Sequence, residues 1–156
     1  MRQSNYQGTL QQPLNSGFDA KSTTIDIIKG INLTGKIAIV TGGNTGIGLE
    51  TTWLLACAGA TVIVPARDIE KARKNLERIE NVEIASLDLM DPVSIDAFAA
   101  KFLASGRPVH LLINNAGIMW VPLRKDSNGT ESQLATNYLS QFRLTARLWR
   151  ASICRI

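Results

Sequence analysis

The sequence predicts an α/β fold in which helices cover both faces of a parallel sheet. Four short apolar runs alternate with segments of helical length and pattern, and this βαβ alternation is typical of parallel strands joined by helical crossovers. A glycine-rich turn at 42–48 directly follows the first run. Given right-handed crossovers, a turn in this place favours the strand order 3-2-1-4 of a doubly wound sheet.

In chain order, a short helix is predicted at 23–29, before a first strand at 37–40 that is mostly β-branched. The glycine turn leads into a helix at 46–58, and Gly59 can end it because glycine adopts the left-handed conformation easily. The second strand, 61–64, is again rich in β-branched residues.

The alternation continues to the end of the chain. Asp68 can cap the third helix, and the third strand is predicted at 82–87. Aspartate followed by proline at 91–92 is a strong helix start, and this fourth helix should stop at Gly106. A fourth strand is predicted at 109–113.

A long last helix is predicted from about residue 130 almost to the end. We therefore divide the chain into an N-terminal extension, 1–32, and part of a single Rossmann-like domain, 33–156.

Composition argues against several kinds of partner and site. The net charge is only +4 and the basic residues are scattered, so a nucleic-acid partner is not expected. Arginines recur at helical spacing at 143, 147 and 150, where a solvated face is the ordinary interpretation. The N-terminus has no apolar signal-peptide core, and the charge-free run 51–66 is too short to span a membrane. Two cysteines without pairing or metal spacing and one histidine predict a cytoplasmic protein with no metal site.

The glycine turn has the composition of a phosphate-binding loop. Gly42 permits a tight turn, Gly46 lets the backbone approach a pyrophosphate, and Gly48 permits close packing of helix on strand. Backbone N–H groups at the helix start, together with the helix dipole, favour an anion there. A glycine-rich turn without a ligand is the alternative.

The end of the second strand favours NADP over NAD. Dinucleotide folds that prefer NAD place an acidic residue here, to bind the ribose hydroxyl. This chain has Arg67, whose forked donors suit a 2′-phosphate. Asp68 argues mildly for NAD, although its position suits helix capping better. A simple surface arginine is the alternative for Arg67.

Together these motifs resemble the short-chain dehydrogenase/reductase family. The turn at 41–48 (TGGNTGIG) is similar to the family's cofactor signature, and 114–117 (NNAG) to its second hallmark. Asp88 stands where the family places an aspartate beside the adenine ring. The sequence of these motifs is most similar to that of retinol-dehydrogenase-like and related bacterial oxidoreductases. The resemblance extends over about 33–149. The cofactor-binding residues that the resemblance implies are Gly42, Gly43, Asn44, Thr45, Gly46, Ile47, Gly48, Arg67, Asp88, Leu89, Asn115, Ala116 and Gly117.

The resemblance implies hydride transfer between NADP(H) and a small alcohol or carbonyl substrate. It places Asn137 in a proton relay, its backbone carbonyl positioning a water; an asparagine that bonds only within its helix is the alternative. The family reaction also needs a serine, and a tyrosine followed four residues later by lysine. Four residues after Tyr6 and Tyr138 stand Leu10 and Phe142, so Tyr-x-x-x-Lys is absent.

We therefore expect weak NADP(H) binding without turnover. The chain ends before a fifth strand, so we expect a truncated product, whether by frameshift, premature stop or deliberate shortening. A non-catalytic cofactor-binding or interaction module and a non-functional remnant are the alternatives. The fourth strand would be a sheet edge, and Leu134, Tyr138, Phe142 and Trp149 would be partly exposed. This predicts marginal stability, and aggregation or a homo-oligomer through the helix at 130–154.

Overall fold

The structure, a computed structural model, describes residues 15–152. Within this range four parallel strands form one sheet in the order β3-β2-β1-β4, which confirms the predicted fold class and strand order. The strands are β1 (Ile37–Val40), β2 (Thr61–Ala66), β3 (Val82–Ser86) and β4 (Leu111–Ile113). The helices are α1 (Thr24–Ile28), α2 (Gly46–Cys57), α3 (Ile69–Leu76), α4 (Pro92–Ala104), α5 (Ser132–Leu134) and α6 (Ser140–Ser152). Tyr6, Leu10 and Cys154 lie outside the described residues.

The sheet register brings the carboxyl ends of all four strands to one edge. Ala38 of β1 pairs with Val62 of β2 and with Leu111 of β4, so β1 is central. Strand β2 runs two residues further than predicted, and its Pro65 pairs with Ala85 of β3. Proline is tolerated there because it lies beyond the paired part of β1, where its missing N–H breaks no ladder bond.

Side chains of β1 alternate between two buried clusters, as the period of a strand requires. Ile39 packs in a cluster with residues of α4 and α6, whereas Ala38 and Val40 pack in a cluster with residues of α2 and α3. Both faces of the sheet are therefore covered by helices. The helices on the first face are the ones that carry the largest buried side chains, including Ile95, Phe98, Phe102, Leu144 and Leu148.

The predicted helix boundaries have the expected chemistry. The Asp68 carboxylate accepts a hydrogen bond from the Lys71 N–H at 3.0 Å, and the Asp91 carboxylate accepts one from the Val93 N–H at 2.9 Å. Both acidic residues therefore satisfy amides that have no partner within the helix. After α2 and α4 the chain turns through glycines with positive φ, Gly59 at 96° and Gly106 at 68°.

The last region is helical throughout Ser132–Ser152, as predicted, but not all of it is α-helical. A π-helical segment, Ala135–Leu139, separates α5 from α6. Side chains of this region make hydrogen bonds to loops outside the helix, from Asn137 to the backbone of Ile118 and from Ser140 to the carbonyl oxygen of Leu89. Such π-helical turns within α-helices are frequent at functional positions.

Two arginines of α6 form ion pairs, whereas the sequence analysis expected a solvated face at these positions. Arg143 and Arg147 each form two hydrogen bonds to the carboxylate of Asp96 on α4, at 2.7–3.1 Å. These hydrogen bonds hold the pKa of Asp96 well below its usual range. The pairs fasten α6 to α4 on the face of the sheet that both helices cover.

One apolar face of the last helical region is open to solvent, as predicted. The exposed fractions are 51% for Leu134, 65% for Tyr138, 70% for Phe142 and 61% for Trp149. Strand β4 is an edge of the described sheet. The consequences expected from this exposure, marginal stability and self-association, stay predictions. No helix within residues 15–152 is both long and apolar enough to cross a membrane.

Candidate functional site

A cleft lies along the carboxyl ends of the strands, where ligands bind in doubly wound sheets. It consists of two adjoining cavities of about 260 and 290 Å³, which share Gly42, Thr45 and Ala116. The predicted site residues that line the first cavity are Gly42, Asn44, Thr45, Arg67, Asp88, Leu89 and Ala116. Those that line the second are Gly42, Thr45, Ile47, Gly48, Asn115, Ala116 and Gly117. Gly43, Gly46 and Asn137 line neither.

The glycine turn follows β1 in a conformation that favours glycine. Gly42 has φ +66° and Gly46 has φ +54°, in the left-handed region where a side chain is disfavoured. A Cβ at Gly42 would lie 3.0 Å from the Ala116 Cα, whereas one at Gly46 would meet no atom within 4 Å. The turn is therefore packed against the β4 loop at Gly42 and open to solvent at Gly46.

Gly48 allows the close packing that the sequence predicted, but against different partners. A Cβ at this position would overlap the carbonyl oxygen of Gly42 and the Nδ2 atom of Asn115. Helix α2 therefore packs at Gly48 against the turn after β1 and the loop after β4, and the close contact is with these loops and not with a strand. Gly43 is tied to the same helix, because the Thr52 hydroxyl donates to its carbonyl oxygen at 2.9 Å.

The start of α2 leaves backbone donors free at the cleft. The side chain of the N-cap residue, Thr45, makes no capping hydrogen bond, and the Leu49 N–H already bonds to the Thr45 carbonyl oxygen within the helix. The N–H groups of Gly46, Ile47 and Gly48 have no such intrahelical acceptor. With the positive end of the helix dipole, they form a site that can bind a phosphate group.

The end of β2 carries an unpaired cation. Arg67 is exposed and forms no hydrogen bond or ion pair with the rest of residues 15–152. The neighbouring Asp68 uses its carboxylate to cap α3. Lys71, one turn into α3, lines the same cavity and was missed from the sequence. Two cations at one cavity wall suit a doubly charged phosphate.

The loop after β3 is held from two sides. The Asp88 N–H donates to the Ser94 hydroxyl at 2.9 Å, and the Asp88 carboxylate accepts from the Met90 N–H at 2.9 Å. The Ser140 hydroxyl of α6 donates to the carbonyl oxygen of Leu89. Helices α4 and α6 thus fix the position of Asp88 at the cavity wall.

Asn137 does not bond within its own helix through its side chain. Its Oδ1 atom accepts from the Ile118 N–H and its Nδ2 atom donates to the Ile118 carbonyl oxygen, both at 2.8 Å. The loop after β4 is therefore clamped to the π-helical segment. Next to it, the Thr136 hydroxyl is buried without a partner in the described part of the chain, and Thr136 lines the first cavity.

Other charged and polar groups have structural roles. His110 accepts a hydrogen bond at Nδ1 from the Ile37 N–H at 2.9 Å. A third cavity of about 380 Å³ is lined by residues of α4, α6 and the loop at 126–130, and its arginines are the ones that pair with Asp96. Among the described residues, no cluster of His, Cys, Asp or Glu could hold a metal ion.

Comparison with known proteins gives a consistent result. The family model described as short chain dehydrogenase matches residues 36–153. Retinol dehydrogenase 11 of Mus musculus is 46% identical over 74% of this chain and 38% of its own length. The chloroplastic short-chain dehydrogenase TIC 32 B of Brassica napus is 39% identical over 83% of this chain and 42% of its own length. This chain thus spans about two fifths of the length of these relatives.

Solved structures agree with the sequence relatives. A metagenomic short-chain oxidoreductase in complex with NADP superimposes with a TM-score of 0.67 at 32% identity. The match covers 76% of this chain and 56% of that one.

Proposed function

This chain belongs to the short-chain dehydrogenase family, and on that premise we propose that it is the NADP-binding part of an oxidoreductase. The complete reaction would move a hydride between NADP(H) and a small alcohol or carbonyl substrate. The observation that carries the proposal is the cleft at the strand ends, where the turn at 42–48, Arg67, Asp88 and the loop at 115–117 line adjoining cavities. We treat 33–156 as part of one Rossmann-like domain.

We assign the parts of the nucleotide to these residues by their chemistry. The pyrophosphate would lie at the start of α2, where the N–H groups of Gly46, Ile47 and Gly48 have no partner within the helix. The adenine ring would lie beside Asp88. The open side of Gly46, where a Cβ would meet no atom within 4 Å, leaves room for the phosphates to approach the backbone.

The preference for NADP over NAD is proposed on the charges at the end of β2. The Arg67 guanidinium has no partner among residues 15–152, and Lys71 lines the same cavity. Asp68, which would repel a phosphate, has its carboxylate within 3.0 Å of an N–H group of α3. A 2′-phosphate would therefore meet two cations and a carboxylate that is already hydrogen-bonded.

The proposed chemistry is incomplete in this chain. The bound nicotinamide would supply or accept the hydride. Asn137 is assigned to the proton relay, and the two hydrogen bonds of its side chain to Ile118 hold this residue beside the cleft loop. The sequence contains no Tyr-x-x-x-Lys, so the acid–base pair that the family resemblance implies is absent from this chain. We expect nucleotide binding without turnover.

A non-catalytic interaction module is the second candidate. The exposed face formed by Tyr138, Phe142 and Trp149 favours it. An exposed apolar patch marks an interaction site, whereas single exposed apolar residues are ordinary on protein surfaces. A second copy of the chain would cover this face in a homo-oligomer.

The exposed free thiol of Cys57 supports a reducing compartment such as the cytoplasm.

The test is a fluorescence titration of the purified chain with NADPH and with NADH. We expect tighter binding of NADPH, and Arg67→Gln should weaken NADPH binding about 10- to 100-fold, because a hydrogen-bonded charge contributes about 1.5–3 kcal/mol. NADH binding should change little. Arg78→Gln is the matched control, since Arg78 is highly exposed and does not line the cleft.

Two results would contradict the proposal. Equal affinity of the unaltered chain for NADPH and NADH, or equal losses in Arg67→Gln and Arg78→Gln, would remove the case for a 2′-phosphate site at Arg67. Steady oxidation of NADPH by the purified chain in the presence of carbonyl compounds would show that the expected lack of turnover is wrong.

A further inference from the structure

Gln141 is a polar residue on the buried side of α6. It is 6% exposed and lies one turn before Leu144 and two turns before Leu148, both of which are fully buried. A buried amide group needs hydrogen-bond partners at both ends. Leucine or methionine would fill a similar volume at this position without needing hydrogen-bond partners. The hydrogen bonds of Gln141 therefore distinguish it from the two buried leucines on the same side of α6.

Both ends of this amide contact the cleft loops. Nε2 of Gln141 donates to the carbonyl oxygen of Ala116 at 2.9 Å. Its Oε1 atom lies 3.4 Å from the Thr41 hydroxyl. One side chain of α6 therefore contacts both the loop after β4 and the residue that begins the glycine turn.

Thr41 holds the same loop from the other side. Its hydroxyl, in a residue that is 1% exposed, accepts from the N–H groups of Asn115 and Ala116 at 3.0 Å each. With two donors on the oxygen, its own proton must go to an acceptor. The available acceptors are Oε1 of Gln141 and the carbonyl oxygen of Ile113, both at 3.4 Å.

Ala116 is thereby fixed at both of its backbone polar groups. Thr41 holds its N–H and Gln141 holds its carbonyl oxygen. This residue lines both cavities of the cleft, and its Cα atom is already within 3.0 Å of the Cβ position of Gly42. A shift of Ala116 would therefore change the floor of the cleft and its contact with the glycine turn together.

We propose that Gln141 is a positioning residue that sets the loop at 115–117 for nucleotide binding, acting through Ala116 and Thr41. The proposal rests on the proposed nucleotide-binding function. It adds a residue on α6 that touches neither the predicted phosphate site nor the end of β2.

The test compares Gln141→Met with Gln133→Met in the full chain. Methionine has a similar length and shape but cannot form either hydrogen bond. Gln133, on α5, is half-buried, and its side chain hydrogen-bonds to Glu131 in its own helical region and not to the cleft loops. Amide hydrogen exchange is measured on the nucleotide-free proteins, and NADP⁺ affinity is measured by calorimetry.

In Gln141→Met, exchange at Ala116, whose N–H bonds to the Thr41 hydroxyl, should accelerate about tenfold relative to the amides of β1 and β2, the size expected for one lost buried hydrogen bond. NADP⁺ affinity should fall by a similar factor. Gln133→Met should change neither. A local rise in exchange separates positioning from general destabilisation, which would accelerate the strand amides equally.

Unchanged exchange at Ala116, or a uniform rise over all amides, would overturn the role of Gln141. Unaltered NADP⁺ affinity in a variant with locally faster exchange would overturn the link to the nucleotide. If the unaltered chain binds no NADP⁺, the proposed function fails, but the exchange comparison still decides whether Gln141 positions the loop.

Discussion

Replacing Thr41 by valine tests how much the cleft depends on one buried hydroxyl. Valine has nearly the same shape, so the change removes hydrogen bonds and leaves packing almost intact. The Ala116 N–H loses its acceptor, Thr41 Oγ1 at 3.0 Å. The Asn115 N–H is affected less, because it also lies 3.0 Å from the carbonyl oxygen of Ile113.

The expected cost follows from these two donors. An N–H group left buried without a partner costs about 1–3 kcal/mol, and the loss of a shared hydrogen bond about 0.5–1.5 kcal/mol. Thr41→Val should therefore lower the free energy of unfolding by about 2–4 kcal/mol. Thr41→Ser keeps the oxygen and loses one buried methyl group, so it should cost about 1 kcal/mol.

Urea unfolding at 25 °C, followed by tryptophan fluorescence, measures the difference. If the valine variant is largely unfolded in water, the same concentration of trimethylamine N-oxide added to all three proteins restores a measurable transition. A loss below about 1 kcal/mol in Thr41→Val, or an equal loss in Thr41→Ser, would refute the assignment of this hydroxyl as the acceptor that holds the β4 loop.

Three further predictions concern other parts of the chain. Gly48→Ala should abolish measurable NADPH binding in a fluorescence titration, because the new Cβ would overlap Gly42 and Asn115; binding within twofold of the unaltered chain would contradict this. The pKa of Asp96 is lowered by its arginine partners, so its ion pairs stabilise the fold fully above about pH 5 and less as the pH falls below about 4, through the ordinary carboxyl range. Between about pH 6 and pH 3, the Tm of Asp96→Asn, measured by calorimetry, should therefore fall less than the Tm of the unaltered chain. Phe142→Glu should shift sedimentation velocity profiles toward monomer if the exposed α6 face self-associates; identical profiles would exclude that face.

The sequence was sufficient to predict the sheet and most of the cleft wall, because these follow from local patterns. β-branched runs, helix caps and the glycine turn act within a few residues of themselves, so the order of β1 to β4 and the capping roles of Asp68 and Asp91 could be predicted. Arg67 could be located for the same reason, since it directly follows a strand. The β2 end extended further than predicted because Pro65 is tolerated beyond the paired part of β1.

Interactions between segments distant in sequence could not be predicted. The ion pairs of Arg143 and Arg147 with Asp96 join two helices about fifty residues apart, and nothing in the spacing of the arginines indicates their partner. Asn137, in the π-helical segment Ala135–Leu139, likewise hydrogen-bonds to a loop that precedes the helix. Gln141 did leave a signal, a polar residue on the stripe that continues to Leu144 and Leu148, but the pattern alone does not identify what it contacts.

The cleft therefore has two kinds of component, and they depend on different parts of the chain. Groups that could contact a nucleotide lie within a few residues of a strand end, as the glycine turn and Arg67 do. The loops that carry these groups are held from the last helical region, by Asn137 at Ile118, Ser140 at Leu89 and Gln141 at Ala116. Ser140 and Gln141 follow Asn137 by three and four positions, so the three residues share one side of the helix. A motif match to the glycine turn thus indicates what the cleft could bind, whereas the loops of the cleft are hydrogen-bonded to a helical region about ninety residues further along the chain.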